Sequence, residues 1–230
     1  DLLVGVHCED EALTSSLERA ARSAGRTGGR DFLGAHAPVT ELLAVDMVLE
    51  MARSTGARVH ICHATLPEVI DRVLRARREA RGTVETCPHY LTLNYQEAMT
   101  KYGACAKIAP PLRTKRDNEE LWQGLADGSV DFIATDHAPY ELESEKRFEG
   151  MNIWTAFPGI PGVETMVPIL VSEGYNKGRL TLSKLVDVLS KNAAIHYGLY
   201  PKKGAMHIGS DADFTIIDLD KEWTIDVKDE

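Results

Sequence analysis

The stretch DFIATDHAPY, residues 131–140, runs apolar from Phe132 to Ala134 and then places a carboxylate and an imidazole close together at Asp136 and His137. Burying either polar group without a partner costs several kcal/mol, so a strand gains no stability by ending in this way. In a parallel α/β barrel, however, catalytic side chains lie at the carboxyl ends of the strands. The stretch therefore predicts a short buried strand that carries functional residues at its end.

Short apolar segments alternate with amphipathic ones along the chain, which is typical of a parallel sheet built from βα units. Thr40 and Gly56 are the expected ends of the second helix, and Pro67 lies in the first turn of the next. No glycine-rich phosphate turn follows a strand, so a doubly wound sheet is less favoured than half of a (β/α)8 TIM-type barrel. The other predicted strands are LLVGVHCED, ARVHICHA and TVETCPHYL, and the predicted helices are EALTSSLERAARSAG, TELLAVDMVLEMARSTG, LPEVIDRVLRARREARG and DNEELWQGLADG.

The architecture is expected to change near Gly204. A long loop rich in Gly and Pro follows Ala138, and two helices are predicted around residues 163–172 and 182–196. The tail GSDADFTIIDLDKEWTID reads as a pair of strands. We therefore predict a barrel unit over residues 1–203 and the start of a second unit over 204–230. Because the chain begins directly in a strand and ends in a polar run, we expect it to be part of a longer protein.

Composition and charge narrow the class of protein. The 230 residues carry a net charge of -9, which argues against nucleic acid or an anionic membrane as the main partner. No segment approaches the ~20 apolar residues of a membrane span. The four cysteines form no CxxC pair, which favours reduced thiols in a cytoplasmic protein over a disulfide framework.

Polar residues stand at matching ends of the predicted strands: His7, His63, His89, and Asp136 with His137. The carboxyl ends of parallel barrel strands meet on one face, and imidazole with carboxylate is a usual ligand set for zinc. A metal site is therefore one hypothesis. His60 is expected to point away from it, since an odd number of residues separates His60 from His63. The remaining histidines are interpreted as core or surface residues: His36, His196 and His207.

Several short motifs occur in an order that resembles the cyclic amidohydrolases, the hydantoinase, dihydropyrimidinase, allantoinase and dihydroorotase branch of the amidohydrolase superfamily. The resemblance covers the chain from His7 to Asp220. It implies strands 5–8 of the barrel, followed by part of a small β-sandwich domain that starts at residue 204. The motifs are VHCED, HICHAT, ETCPHYL, KIAPPLR, ATDHAP, GIPGVET and GSDADFTIIDLD.

The resemblance implies a site with two divalent metal ions, expected to be zinc. His7 and His63 match the histidines that ligate the more exposed ion, and Asp136 matches the aspartate that ligates the more buried ion and exchanges protons with the nucleophile. In the family a His-x-His pair and a carboxylated lysine complete the site, and neither has a counterpart in this chain. Substrate contacts are expected from His137, Ala109, Pro110, Tyr140 and Gly159.

The chemistry of an amide hydrolase fits these residue types. Zinc lowers the pKa of bound water towards ~7, so that a metal-bound hydroxide can attack an amide carbonyl. A carboxylate beside it can take up the proton and return it to the departing nitrogen. The sequence thus predicts metal-dependent hydrolysis of a cyclic amide with Asp136 as the proton shuttle.

The substrate remains open between several relatives. Dihydroorotases usually have a polar donor at the positions of Ala109 and Tyr140, so that activity is disfavoured. We expect a hydantoinase or dihydropyrimidinase-like enzyme, with allantoinase as the alternative. The loop aromatics Phe148, Trp154 and Phe157 could form an apolar wall for a substituted hydantoin. A non-catalytic scaffold relative of dihydropyrimidinase is the alternative from another class. The family implies a homodimer or homotetramer.

Overall fold

The computed structural model describes residues 2–147 and 151–225. Its centre is a parallel sheet of four strands in the order β1-β2-β3-β4, as consecutive βα units require. Gly5 pairs with His60, and His60 with Thr83, so the first three strands are in register across the sheet. The strands are β1 (Leu3–Val6), β2 (Arg58–Ile61), β3 (Thr83–Thr86) and β4 (Phe132–Ile133).

Helices connect and follow the strands. The last two segments are composite, because α8 continues as a π-helical segment over Leu170–Tyr175, and Asp187–Lys191 forms a π-helical segment between α9 and α10. The helices are α1 (Glu11–Ser23), α2 (Gly29–Ala35), α3 (Pro38–Thr55), α4 (Pro67–Ala80), α5 (Pro88–Thr92), α6 (Tyr95–Tyr102), α7 (Lys115–Asp127), α8 (Met166–Ile169), α9 (Leu182–Val186) and α10 (Asn192–His196).

Three local predictions from the sequence need correction. Helix α3 begins at Pro38, and its N-cap is Ala37, three residues before the predicted N-cap Thr40, because proline is well suited to the first helical turn. The loop predicted before it contains α2. The third predicted strand ends at Thr86, since Pro88 starts the short helix α5. The predicted end of α3 is confirmed: Gly56 has φ 72°, which glycine adopts at little cost.

The two faces of the sheet carry different side chains. Val59, Ile61 and Val84 are buried in a cluster with α3 residues such as Val45 and Leu49, and so form the core between sheet and helices. Because strand side chains alternate, His60 and Glu85 lie on the opposite face. That face is the interior of the barrel.

Residues 29–55 contain an 18-residue window with the mean hydropathy (1.4) of a membrane span, which the sequence prediction overlooked. In the structure this stretch consists of two helices, α2 and α3, separated at His36 and Ala37. Ala44, Val45 and other α3 residues are buried in the core that covers the sheet. The stretch therefore packs as part of the barrel in the way a core helix does.

The predicted pair of strands in the tail is wrong for the described residues. Residues 204–225 contain no strand, and apolar side chains there are exposed, such as Met206 at 85% and Ile216 at 95%. A strand is stable only when its backbone groups are paired, and no neighbouring strand lies beside this segment in the described part of the chain. The β-sandwich unit over 204–230 stays a prediction.

Candidate metal centre and active site

The ends of β1 and β2 bring two predicted ligands together. Nδ1 of His7 lies 3.2 Å from Nε2 of His63, although 56 residues separate them in sequence. The contact follows from the parallel pairing of β1 with β2, which places Val6 beside Ile61. We call His7 and His63 the rim pair, since both lie just beyond the carboxyl ends of their strands.

The rim pair has the spacing of two ligands on one zinc ion. Two nitrogens bound at ~2.0–2.1 Å with tetrahedral angles lie about 3.3 Å apart, close to the observed 3.2 Å. A hydrogen bond between the two rings gives the same distance without a metal, so spacing alone does not decide. The buried Nδ1 of His63 has no hydrogen-bond partner in the described structure. The donor set and its spacing thus fit a metal ion.

His7 is held from behind by a chain of charged groups. Its Nε2 lies 3.1 Å from a carboxylate oxygen of Glu9, and the other oxygen of Glu9 lies 2.7 Å from Nδ1 of His36. Nε2 of His36 in turn lies 3.0 Å from Glu18. A carboxylate on the far nitrogen of a histidine orients the ring and raises its basicity towards a metal. Glu9 is therefore suited to aim Nδ1 of His7 at the rim.

The electrostatics of this chain follow from its contacts. Although burial opposes it, hydrogen bonds with His36 and His7 lower the pKa of Glu9 to about 2. Burial alone would lower the pKa of His36, but Glu9 and Glu18 outweigh it and raise that pKa. The sequence interpretation of His36 as a core or surface residue missed this link. Only the proximity of Glu9 to His7 in VHCED gave any signal of it.

Two of the predicted ligands have a strained backbone. His63 has φ 39° and Asp136 has φ 44°, both in the left-handed region that residues with a β-carbon seldom adopt. Such strain costs of order 1–3 kcal/mol and often occurs at functional sites. Each residue lies just after a strand, where the turn redirects the side chain. The strain is an independent reason to regard these two positions as functional.

Asp136 lies within electrostatic reach of the rim pair. Burial lowers the pKa of His63, the charge of Asp136 raises it, and the neighbouring His7 lowers it further. The buried His89 is close enough for the charge of His63 to reinforce the effect of burial, and its pKa falls to about 3. The Nε2 of His89 is also without a hydrogen-bond partner. His63 therefore has Asp136, His7, His89 and Glu41 as charged or titratable neighbours.

His137 holds the loop that follows β4. Its Nδ1 accepts hydrogen bonds from the backbone N–H groups of Gly162 (3.0 Å) and Val163 (3.3 Å). Its backbone forms a parallel bridge with Ile160. We call residues 137–147 and 151–163 the β4 loop. These contacts give His137 a structural part in closing the loop, and its predicted substrate contact stays a prediction.

The other predicted substrate-binding positions lie on or beside this loop. The N–H of Gly159 donates to the carbonyl of Lys107 (3.0 Å), which joins the β4 loop to the segment that leads to Ala109 and Pro110. A β-carbon on Gly159 would lie 2.6 Å from the ring of Tyr140. The structure thus brings Gly159 next to Tyr140 and to the chain just before Ala109.

The predicted apolar wall is only partly supported. Trp154 is buried in a core cluster with Phe32, and its indole N–H donates to the carbonyl of Arg26, so it packs the loop down. Phe157 is 46% exposed and lies beside the ring of Tyr140, with centroids 5.3 Å apart. Phe148 lies outside the described residues. Phe157 and Tyr140 are therefore the aromatic pair available to a substrate.

The interior-facing His60 does not join the rim pair. Its Nδ1 lies 2.9 Å from Oγ1 of Thr83, and its ring stacks on Phe132 with centroids 4.9 Å apart. The sequence predicted that His60 points away from the site because it and His63 are an odd number of residues apart on one strand. The structure separates the two histidines for a different reason. His60 faces the barrel interior, whereas His63 follows the end of β2 and lies in a left-handed turn.

Comparisons with known proteins show the family and the fold. Residues 1–229 match the model of the amidohydrolase family. The allantoinase of Deinococcus radiodurans is 34% identical over 226 residues, with 98% of this chain and 49% of the relative covered. The L-hydantoinase of Paenarthrobacter aurescens is 33% identical over 228 residues, covering 97% and 49%.

Solved structures give the same result. The L-hydantoinase (dihydropyrimidinase) from Arthrobacter aurescens superposes with a TM-score of 0.92 at 30% identity, covering 98% of this chain and 50% of that one. The dihydropyrimidinase from Brevibacillus agri gives 0.86 at 30% identity, covering 92% and 46%. The chain spans about half the length of the relatives it matches. The predicted TIM-type barrel fold is confirmed, and the chain belongs to the amidohydrolase family.

Proposed function

We propose that the protein containing this chain hydrolyses the ring of a cyclic amide, with a hydantoin-type ring as substrate. The observation that carries the proposal is the 3.2 Å contact between His7 and His63 at neighbouring strand ends. Membership of the amidohydrolase family supports it. So do the names of the relatives, which include L-hydantoinase and allantoinase.

His7, His63 and Asp136 would hold divalent metal, for which zinc is our proposal. When bound, such ions polarise the amide carbonyl and make water a better nucleophile. The chain's own residues position a ligand and carry the proton. Glu9 holds the ring of His7 in place. Asp136 accepts the proton that the attacking water loses and returns it to the ring nitrogen as the C–N bond breaks.

The β4 loop would bound the substrate on one side. Tyr140 and Phe157 present an aromatic surface, and Gly159 leaves room against Tyr140. An apolar ring substituent suits this surface, which favours a hydantoinase-like enzyme. Allantoin shares the hydantoin ring but carries a polar ureido group, and the 36% identity with the allantoinase of Rubrobacter xylanophilus keeps it as the second candidate. We further propose a cytoplasmic homodimer or homotetramer.

The test uses full-length protein with zinc, assayed on a 5-substituted hydantoin, allantoin, dihydrouracil and dihydroorotate. We expect ring opening of a hydantoin or of allantoin. Asp136→Asn should lower kcat by ~10²–10⁴-fold, since it removes a general acid–base group, while circular dichroism stays unchanged. The exposed Asp46, which forms a surface ion pair with Arg72, provides the control variant Asp46→Asn.

Two results would count against the proposal. Wild-type turnover in Asp136→Asn would remove the proton-transfer role. No turnover of any of the four substrates by metal-loaded protein would favour a non-catalytic scaffold protein instead.

A further inference from the structure

A second group of metal-ligating side chains lies in the barrel interior, away from the rim pair. We call His60, Cys62 and Glu85 the interior cluster, since one donor atom from each lies within 4.8 Å of the others. His60 and Cys62 are two residues apart and so share a face of the sheet. The pairing of Ile61 with Val84 brings Glu85 alongside Cys62.

The orientation of the His60 ring is fixed. Oγ1 of Thr83 lies 2.9 Å from Nδ1 of His60 and 3.4 Å from both the carbonyl of Val59 and Nε2 of His196. When the hydroxyl donates to either of these two acceptors, its lone pair accepts the Nδ1–H of His60. This arrangement leaves the lone pair of the imidazole on Nε2. The ring is held flat against Phe132, with an angle of 6° between the two planes. The free nitrogen therefore has one direction available, towards Glu85.

That nitrogen has no hydrogen-bond partner. His60 is 1% exposed, and its Nε2 is one of the few buried polar atoms left unsatisfied in the described residues. A carboxylate oxygen of Glu85 lies 3.1 Å away but does not meet hydrogen-bond geometry. A buried lone pair facing a carboxylate is unfavourable unless a positive charge lies nearby. A cation bound between them would satisfy both atoms.

We propose that the interior cluster binds one divalent cation of the zinc class through Nε2 of His60, Sγ of Cys62 and a carboxylate oxygen of Glu85. Nitrogen, sulfur and oxygen together suit a borderline-soft ion, and three protein ligands leave a fourth position open. Thr83 is the outer partner that such a histidine ligand usually has. Gly5 leaves the space, since a β-carbon there would lie 3.3 Å from Sγ of Cys62.

Sulfur ligation separates this site from the rim. His7, His63 and Asp136 offer only nitrogen and oxygen, so a thiolate-to-metal absorption band that Cys62→Ser removes reports on the interior cluster and not on the rim pair. The experiment loads metal-free, full-length protein with Co²⁺ and records its near-ultraviolet spectrum. We expect a sulfur-to-cobalt charge-transfer band in the wild-type protein and its loss in Cys62→Ser, which has nearly the same shape.

Cys105→Ser is the matched control. The thiol of Cys105 donates to the carbonyl of Lys146 (3.2 Å), outside the interior cluster, and the band should persist in this variant. His60→Gln keeps the thiol but should weaken Co²⁺ binding by about tenfold or more. This second variant keeps the test valid if Cys62→Ser folds poorly.

Three outcomes would overturn the proposal: no band in the wild-type protein, a band that survives Cys62→Ser, or a band that Cys105→Ser also removes. Visible cobalt bands that remain in Cys62→Ser report on the rim, whose ligands include no sulfur. Failure of the interior site would therefore be distinguishable from failure of the proposed function.

Discussion

Buried cations support both sides of the candidate active site, but their partners differ. Beside the end of β2, Arg113 is 6% exposed and donates to Thr65, to the carbonyl of His36 and to the carboxylate of Glu41, at 2.9, 2.7 and 2.9 Å. In the β4 loop, Lys146 donates to the carbonyls of Phe157 (2.8 Å) and Lys107 (3.1 Å).

The difference lies in the compensating charge. Arg113 has a buried carboxylate, and a guanidinium keeps its proton at any pH at which proteins fold. The hydrogen-bond partners of Lys146 in the described structure are backbone carbonyls. Burial lowers the pKa of Lys146 to about 8, with nearby Lys107 adding to the effect and Cys105 opposing it. The support of the β4 loop therefore changes in mildly alkaline solution, whereas the β2 side has a buried carboxylate beside its cation.

The largest expected effect comes from breaking the carboxylate-paired support. Arg113→Met should lower the free energy of unfolding by ~3–5 kcal/mol, because it leaves the Glu41 carboxylate buried without its cation. Arg72→Met removes an ion pair at the surface with Asp46 and should cost no more than ~1 kcal/mol. Urea unfolding of both variants checks the contrast. Equal losses would mean that Arg113 is not an essential support.

The second effect concerns the packing of the β4 loop. Gly159 has φ 154°, and a β-carbon there would lie 2.6 Å from both Ala138 and Tyr140. Gly159→Ala should therefore lower the free energy of unfolding by ~2–4 kcal/mol and raise KM. Gly178 also has a positive φ, 71°, but nothing lies near its missing β-carbon. Gly178→Ala should therefore cost only ~1–2 kcal/mol of backbone strain and leave KM unchanged. A KM that moves equally in both would contradict a local role for Gly159.

Removing the lysine support should have a smaller effect than removing Arg113. Lys146→Met removes one donor from each of two carbonyls, of which that of Lys107 keeps the N–H of Gly159, and it leaves no buried charge without a partner. The expected loss is therefore ~1–2 kcal/mol at neutral pH. The same urea unfolding experiment measures it. If Lys146→Met lowers the free energy of unfolding as much as Arg113→Met does, the buried carboxylate beside Arg113 is not what distinguishes the two supports.

The smallest effect is a pH dependence. Between the folded pKa of Lys146, about 8, and its ordinary value of 10.5, the unfolded chain binds more protons than the folded one. Stability from this group must therefore rise as pH increases through that window. The melting temperature of the wild-type protein should rise relative to that of Lys146→Met between pH about 8 and 10.5. If the difference in melting temperature stays constant or falls over this pH range, burial does not lower the pKa of Lys146.

The sequence predicted the barrel well because its strands are apolar runs that end in polar residues. It missed α2, since glycines at positions 29 and 34 are poor helix formers. Phe32 is buried in a cluster with Ala21 and Trp154 from distant parts of the chain, and those contacts favour the helix over the local preference. The prediction of strands in the tail failed for the opposite reason. The local pattern is strand-like, but no partner strand lies beside it among residues 2–147 and 151–225.

Within the site, strand ends gave His7, His63, His89, Asp136 and His137 as candidates, and the family resemblance then assigned His7, His63 and Asp136 as metal ligands. The chain from Glu9 through His36 to Glu18 could not be predicted, because it depends on how α1 and α2 pack together. The interior cluster was missed because alternation was applied across the end of β2, where His63 turns into a left-handed conformation. Position along a strand thus predicts which residues face the interior, and tertiary packing decides which of them touch.

Metal content is the most direct test of the rim pair as a metal centre. Elemental analysis of full-length protein, purified with zinc and bicarbonate, should be made on wild-type protein and on His63→Asn. We expect about two or more ions per wild-type chain, as a binuclear hydrolase requires, and fewer in His63→Asn. No bound metal in the wild-type protein, or the same content in His63→Asn, would contradict a metal centre at the ends of β1 and β2.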